Sequence, residues 1–521
     1  MIRDSGIKKE LARVQMYFVY LTVFLTGAAV LVLEILGTRV LSPYFGVSLY
    51  IWSALITVTL TALALGYWLG GLLADRGPSI KKLYLLIFLA GVFILIIPLA
   101  SPILLKILSH LGIRTGVLCS AAVLFGPSLF LLAMVTPYAV KLATPELNVL
   151  GRRVGCLYAV STAGGCFGAI VTGFILIPNF GVARVFYLLS LVMFLLWAMQ
   201  FVVEKGRTAV FVVLPLLILV FFLSLKLSAP ASRFTASTGT SLVYEADSLY
   251  GQLKVVDKGH TRWLLIDNAP NSGIDKQTGF PIYKYTYYLE RMNYIHPEAR
   301  DALVIGLGGG CIAKRFTDRG IRTDAVEIDG KVAAVARNYF NFDPGKGNIH
   351  IQDGRRYVRT SSRKYDLAVI DVANGDIASF HMFSRESLNE ISLILKDGGV
   401  LGINFLGFGT GKDSRAARSV FRTLNETYNH VEAYLQNPGG FGNIIFFASD
   451  RPLTLRRKTG ACPTPEIRKI LAEMPGRRID YSADGTTGIV LTDDHNPLQE
   501  WSLKAAAQWR RNIWKTSPVL M

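Results

Sequence analysis

From residue 16 to residue 227 the chain runs through repeated apolar stretches of about 20 residues, each long enough to cross a bilayer as a helix. They fall near 16–37, 49–74, 83–105, 117–139, 155–177, 182–203 and 208–227, which predicts about seven spans. After Ser228 the pattern is that of a water-exposed domain. SLVYEA, GQLKVVDKG and TRWLLIDN alternate apolar with polar positions between turns, predicting a small antiparallel sheet between about 235 and 290. The rhythm then changes to short apolar strands separated by helical stretches: ALVIG, TDAVEI, NIHIQD, DLAVID and VLGINFL. That alternation predicts a doubly wound parallel sheet. VEAYLQ, a GGFG turn and NIIFFAS close it as a hairpin that adds an antiparallel strand. The expected layout is a polytopic helical membrane domain over 1–228, a small sheet over 229–296 and an α/β domain over 297–521.

Composition agrees with a two-part chain. Of 521 residues, 51% are hydrophobic, and the mean hydropathy is +0.38, too apolar for an ordinary soluble protein. The net charge of +18 does not call for nucleic acid, since no aromatic-basic binding motif accompanies it. Lysines and arginines instead gather in alternate loops: Lys8, Lys9 and Arg13, then Arg76, Lys81 and Lys82, then Lys141, Arg152 and Arg153, then Lys205 and Arg207. The positive-inside rule puts those loops and the N-terminus in the cytoplasm. Seven full spans would then carry the C-terminal domain outside, whereas supply of a nucleotide cofactor favours the cytoplasm, which is the side expected here. The five cysteines show no paired spacing, so neither a disulfide framework nor a metal site is expected. Glu34 lies inside the first span, where a charge is costly. The glycine-rich fifth segment, YAVSTAGGCFGAIVTG, reads as re-entrant or as a close-packing helix.

The chemistry gathers around VIGLGGGCIAKRF. Gly306, Gly308, Gly309 and Gly310 sit at a strand-to-helix turn where the backbone can approach a ligand. A dinucleotide fingerprint would place glycine where this chain has Cys311. Glu327 ends the next strand, where a carboxylate can accept both hydroxyls of a ribose. Asp353-Gly354 ends the third strand, within reach of an adenine amino group, and Asp371 ends the fourth. Singly, each acid also suits a helix N-cap. Together they point to a nucleoside cofactor at the carboxyl edge of the sheet, and the terminal hairpin matches the class I S-adenosylmethionine-dependent transferases.

With SLYGQLKVVD, LLIDN, VIGLGGG, AVEID, IQDGRRYV, DLAVIDVANGD, FSRESL and LTDDHNP in order, the chain resembles the membrane-fused members of the spermidine synthase (polyamine aminopropyltransferase) family. The resemblance implies transfer of an aminopropyl group from decarboxylated S-adenosylmethionine to a small amine or polyamine. On matching positions, the resemblance implies that Gly306 and Gly308 line the donor loop, Glu327 holds the ribose, Asp353 and Gly354 contact the adenine, and Asp371 stands beside the reacting centre. A homodimer is among the expected assemblies; no metal and no nucleic acid are.

Departures from the family pattern open the acceptor side. Its second catalytic aspartate aligns with Asn374, which cannot act as a base, so Asp376 is the candidate replacement. The family's Tyr-Gln pair meets Tyr250-Gly251, leaving Gln252 one position late and on the other strand face. In place of an acidic gate stands FPIYKYTYYLERM, whose Tyr283 and Tyr285 read as a cation–π wall or as a packed stripe. His381 is a further titratable candidate. The primary expectation is a multi-pass cell (inner) membrane aminopropyltransferase-like enzyme. The alternatives are an S-adenosylmethionine methyltransferase acting on a lipid or membrane-associated substrate, and a nucleoside sensor controlling a transporter-like membrane half.

Overall fold

The computed structural model describes residues 2–46, 49–144, 150–205, 239–374, 377–455, 465–481 and 488–516. The chain divides into two compact units, Met1–Ala231 and Ser232–Met521.

The first unit is helical: α1 (Ile2–Phe45), α2 (Leu49–Asp75), α3 (Ile80–Leu108), α4 (Ile113–Ala143), α5 (Leu150–Val171) and α6 (Val182–Lys205). Six helices among the described residues are long and apolar enough to cross a membrane. The seventh candidate, 208–227, lies outside the described residues. The glycine-rich fifth segment is a helix packed hard against α1. A Cβ on Gly164 would stand 2.0 Å from the Phe24 carbonyl oxygen, and one on Gly168 would stand 2.8 Å from that of Ala28. Only residues without side chains allow backbones this close. Past Gly168, α5 loosens into a π-turn over Thr172–Leu176. Gly66 and Gly70 likewise seat α2 on Ala133 and Met134 of α4, while Gly71 faces open space. Glu34 sits partly buried in the apolar stretch of α1.

The second unit opens with the expected antiparallel sheet, β1 (Thr240–Asp247), β2 (Gln252–Lys258), β3 (Thr261–Ile266) and β4 (Ala269–Asp275), in sequential order. Asp267 and Asn268, both at positive φ (48° and 60°), make the two-residue turn between β3 and β4. This turn geometry suits the right-handed twist of a hairpin. Helix α7 (Lys284–Glu290) then leads into the main sheet.

Its strands are β5 (Asp301–Ile305), β6 (Arg322–Glu327), β7 (Ile349–Ile351), β8 (Tyr365–Ile370), β11 (Leu395–Phe408), β12 (His430–Leu435), β13 (Phe441–Ser449) and β14 (Arg478–Ile479). A two-residue pair, β9 (Ala373–Asn374) and β10 (Ile377–Ala378), stands apart from it. The order across the sheet is β14-β12-β13-β11-β8-β5-β6-β7. β5, β6, β7, β8 and β11 run parallel, and β13 joins β11 antiparallel, as the closing hairpin predicts. Every residue of β8 is buried, as befits a central parallel strand covered on both faces. The strand order reverses between β5 and β8, so the loops leaving these two strands diverge and open a crevice at the carboxyl edge.

Candidate active site

The glycine loop leaves β5 and enters α8 (Cys311–Thr317). Gly306, Gly308 and Gly310 have φ of 89°, 52° and 76°, a region that side chains disfavour. Space is as restrictive as backbone shape here. A Cβ on Gly306 would stand 2.1 Å from the Asp371 carbonyl oxygen, and one on Gly308 would meet Asn271 and Ser272 of β4. Gly309 donates its N–H to Ser272 Oγ at 2.9 Å, so the small sheet holds the loop from above.

Glu327, only 9% exposed, fixes the other side of the loop. Its Oε2 accepts the Leu307 N–H at 3.1 Å and the Gly308 N–H at 3.5 Å, and its Oε1 accepts the Asp329 N–H at 3.0 Å. Burial raises its pKa, and these backbone donors oppose the rise. Asp329 caps α9 (Gly330–Phe340) through Oδ1, while its buried Oδ2 has no hydrogen-bond partner among the described residues. Of the two roles the sequence allowed Asp353, the cap is formed. Asp353 caps α10 (Gly354–Thr360) by accepting the Arg356 N–H, and its other oxygen stays half-exposed at the sheet edge, 3.7 Å from His381 Nε2. Gly354 packs on Ile305, where a Cβ would stand 2.4 Å away.

Across the crevice Asp371 is held from two directions. Tyr285 Oη donates to its Oδ2 at 3.1 Å and Asn404 Nδ2 to its Oδ1 at 2.8 Å. Asn443 in turn donates to Asn404 Oδ1 at 2.9 Å. Burial raises the Asp371 pKa against these two donors, moving a carboxylate toward useful basicity. Tyr285 reaches Asp371 because α7 is anchored to α8. Glu290, 1% exposed, pairs with Arg315 at 2.9 Å and also with Arg319. Burial, and then the Asp371 charge, push the Tyr285 hydroxyl well up, so it serves as a hydrogen-bond donor. Cys311 is buried at the start of α8, its thiol pushed up to about 12 by burial, which makes it inert packing.

The structure brings together the four glycines, Glu327, Asp353, Gly354 and Asp371 along adjacent strand ends. Asp376 lies outside the described residues, as does the side chain of Asn374. The tyrosines are mostly packed: Tyr285, Tyr287 and Tyr288 belong to the core between α7 and the sheet. Tyr283 stands edge-on to Trp263, with ring centroids 5.8 Å apart. They do not form an open cation-binding wall. Tyr250 is an exposed residue of the β1–β2 turn, and Gln252 opens β2 with its N–H on Asp267. Neither is linked to Asp371 by a hydrogen bond among the described residues. Sequence reading missed Ser272, Asn404 and Asn443, which lie far along the chain from the residues they hold.

A sequence model of the spermine/spermidine synthase domain matches residues 289–404, the segment from the end of α7 into β11. A polyamine aminopropyltransferase of Vibrio vulnificus is 30% identical over 232 residues, covering 41% of this chain and 74% of that protein. The chain belongs to the spermidine synthase family of transferases. A second polyamine aminopropyltransferase, from Thermoplasma volcanium, is 39% identical over 165 residues, 29% of this chain and 58% of that protein. An N-terminal histidine N-methyltransferase of Emericella nidulans is 29% identical over 265 residues, 45% of this chain and 46% of that protein.

Proposed function

We propose that the second unit moves an aminopropyl group from decarboxylated S-adenosylmethionine to an amine, and that the first unit anchors it in a membrane. The observation that carries the reading is the convergence of Gly306–Gly310, Glu327, Asp353 and Asp371 on one crevice at the strand-order reversal. Along it stand the carboxylates of Glu327, Asp353 and Asp371. Such a lining suits a ligand that presents ribose hydroxyls, an amino group and a positive sulfonium. Glu327 would hold the ribose and Asp353 the adenine, with the glycine loop against the nucleoside.

In the transfer, the lone pair of a neutral amine attacks the methylene carbon bonded to the sulfonium. The carbon–sulfur bond breaks and its electron pair stays on sulfur, giving methylthioadenosine. The proton shed by the new ammonium passes to Asp371, whose burial favours taking it up. Tyr285 and Asn404 fix the carboxylate's direction, which is worth more than added basicity when both reactants are bound. Asp376 is proposed as the second acid of this step. The six apolar helices favour a multi-pass membrane protein, with the synthase unit on the cytoplasmic side where the donor is made.

Methyl transfer is the second reading. Asn374 standing where the family has its second aspartate favours it, as does the likeness to a histidine N-methyltransferase. Calorimetry of the full chain with S-adenosylmethionine, its decarboxylated form and methylthioadenosine, run in parallel, separates the two. Preference for the decarboxylated form supports aminopropyl transfer; preference for the carboxylated form, with S-adenosylhomocysteine as product, rejects it. A reporter fused to the C-terminus tests the side of the membrane.

A further inference from the structure

The transfer step leaves one cluster of charge without a task. Arg355 follows Asp353-Gly354 directly and is only 11% exposed at its side chain. Its Nη1 and Nη2 each lie 2.7 Å from an oxygen of Asp493, and its Nε lies 2.9 Å from Glu390 of α11 (Arg385–Ile394). Nη1 also reaches the His381 carbonyl at 3.4 Å. Asp493, in the LTDDHNP stretch, accepts from Ser384 Oγ at 2.6 Å and donates its N–H to Glu386 at 3.0 Å. Two residues before Asp493 and three after it, the same stretch closes on the same region. Leu491 O accepts the Arg385 N–H at 2.8 Å, and Asn496 Nδ2 donates to Phe380 O at 2.8 Å. The fork of Arg355 holds the Asp493 pKa down at about 2, so the pair stays ionised at any working pH.

One guanidinium thus ties the strand end that carries Asp353 to the Phe380–Phe383 turn, which begins nine residues after Asp371 on the chain leaving β8. We propose that Arg355 and Asp493 are positioning residues, a latch by which the 491–496 segment holds that turn in place as a wall of the transfer site. The inference rests on the transferase reading above. It predicts that the latch serves the transfer step more than donor binding, because Asp353 keeps its cap on Arg356 without it.

Asp493→Ala and, independently, Asn496→Ala in the full detergent-solubilised chain test this. Hydrogen exchange is expected to quicken at least tenfold at residues 379–386, while residues 301–305 and 365–370 keep their protection. Affinity for methylthioadenosine should stay within threefold of wild type, and kcat should fall tenfold or more with the donor KM little changed. Unaltered exchange at 379–386, an unaltered kcat despite a freed turn, or protection lost across the whole sheet would each overturn the proposal. A wild-type chain that fails to bind methylthioadenosine would instead remove the transferase reading, and the latch with it.

Discussion

Replacing Asp371 by asparagine separates what the carboxylate does for the fold from what it does for transfer. An amide at this position keeps the shape. Its oxygen can accept from Asn404 Nδ2, now at 2.8 Å, and its nitrogen can donate to Tyr285 Oη, now at 3.1 Å. Burial raises the wild-type pKa above its ordinary 3.8. A folded-state pKa raised above the unfolded one contributes stability that is full below the unfolded value and is lost as pH rises through the folded value. Wild type therefore loses stability with rising pH on this account, by about 1.4 kcal/mol for each unit of the rise, and Asp371→Asn does not. The asparagine variant is expected within about 1 kcal/mol of wild type near pH 5, drawing level or ahead by pH 7. Asp371→Leu strands both donors, at about 1–3 kcal/mol each, and so costs about 2–6 kcal/mol. Transfer tells the opposite story. Loss of the proton acceptor should slow turnover about 10²–10⁴-fold, or about 2.7–5.4 kcal/mol in the barrier. Denaturant unfolding across pH and chromatography of methylthioadenosine supply the two readouts. An asparagine variant destabilised as much as the leucine one, or one that turns over at the wild-type rate, would refute the reasoning.

Three further outcomes are expected. Gly306→Ala places a methyl against the Asp371 carbonyl at a φ that disfavours it, so calorimetric affinity for methylthioadenosine should drop at least tenfold and the unfolding midpoint should fall. Glu327→Gln must turn its amide nitrogen toward backbone N–H groups at one end or the other. It should cost about 1–3 kcal/mol in unfolding measurements and weaken nucleoside binding tenfold or more. Gly164→Leu forces α1 and α5 apart, so the melting temperature of the helical unit in detergent should drop by several degrees, whereas Gly71→Leu, facing open space, should leave it unchanged.

The parallel strands were readable because β5 and β8 are almost wholly buried and therefore mostly apolar, whereas β6 buries Thr323, Asp324 and Glu327 beside its two apolar residues and was readable mainly from its place between two helical stretches. The closing hairpin was readable because its glycines mark the turn between two apolar runs. The carboxylates could be placed at strand ends because each stands where a short strand gives way to a helix or turn. Asn404 was not, since its hydrogen bond to Asp371 spans 33 positions and nothing local distinguishes it from any polar residue in a strand. The tyrosine run shows the same limit. The sequence allowed either a cation–π wall or a packed stripe, and the structure shows the packed stripe, with Glu290 paired to Arg315 and Tyr285 turned inward to Asp371. LTDDHNP was visible as a motif, and its purpose waited on the turn it closes.

The hydrogen bond from Gly309 to Ser272 makes the glycine loop a joint product of two sheets. A fragment cut at the start of the parallel sheet would keep every glycine and every strand-end acid yet lose the ceiling that shapes the loop. Positions 271–272 and 308–309 therefore form a single inheritable unit: grafting this loop onto a relative, or borrowing that relative's small sheet, requires carrying both together.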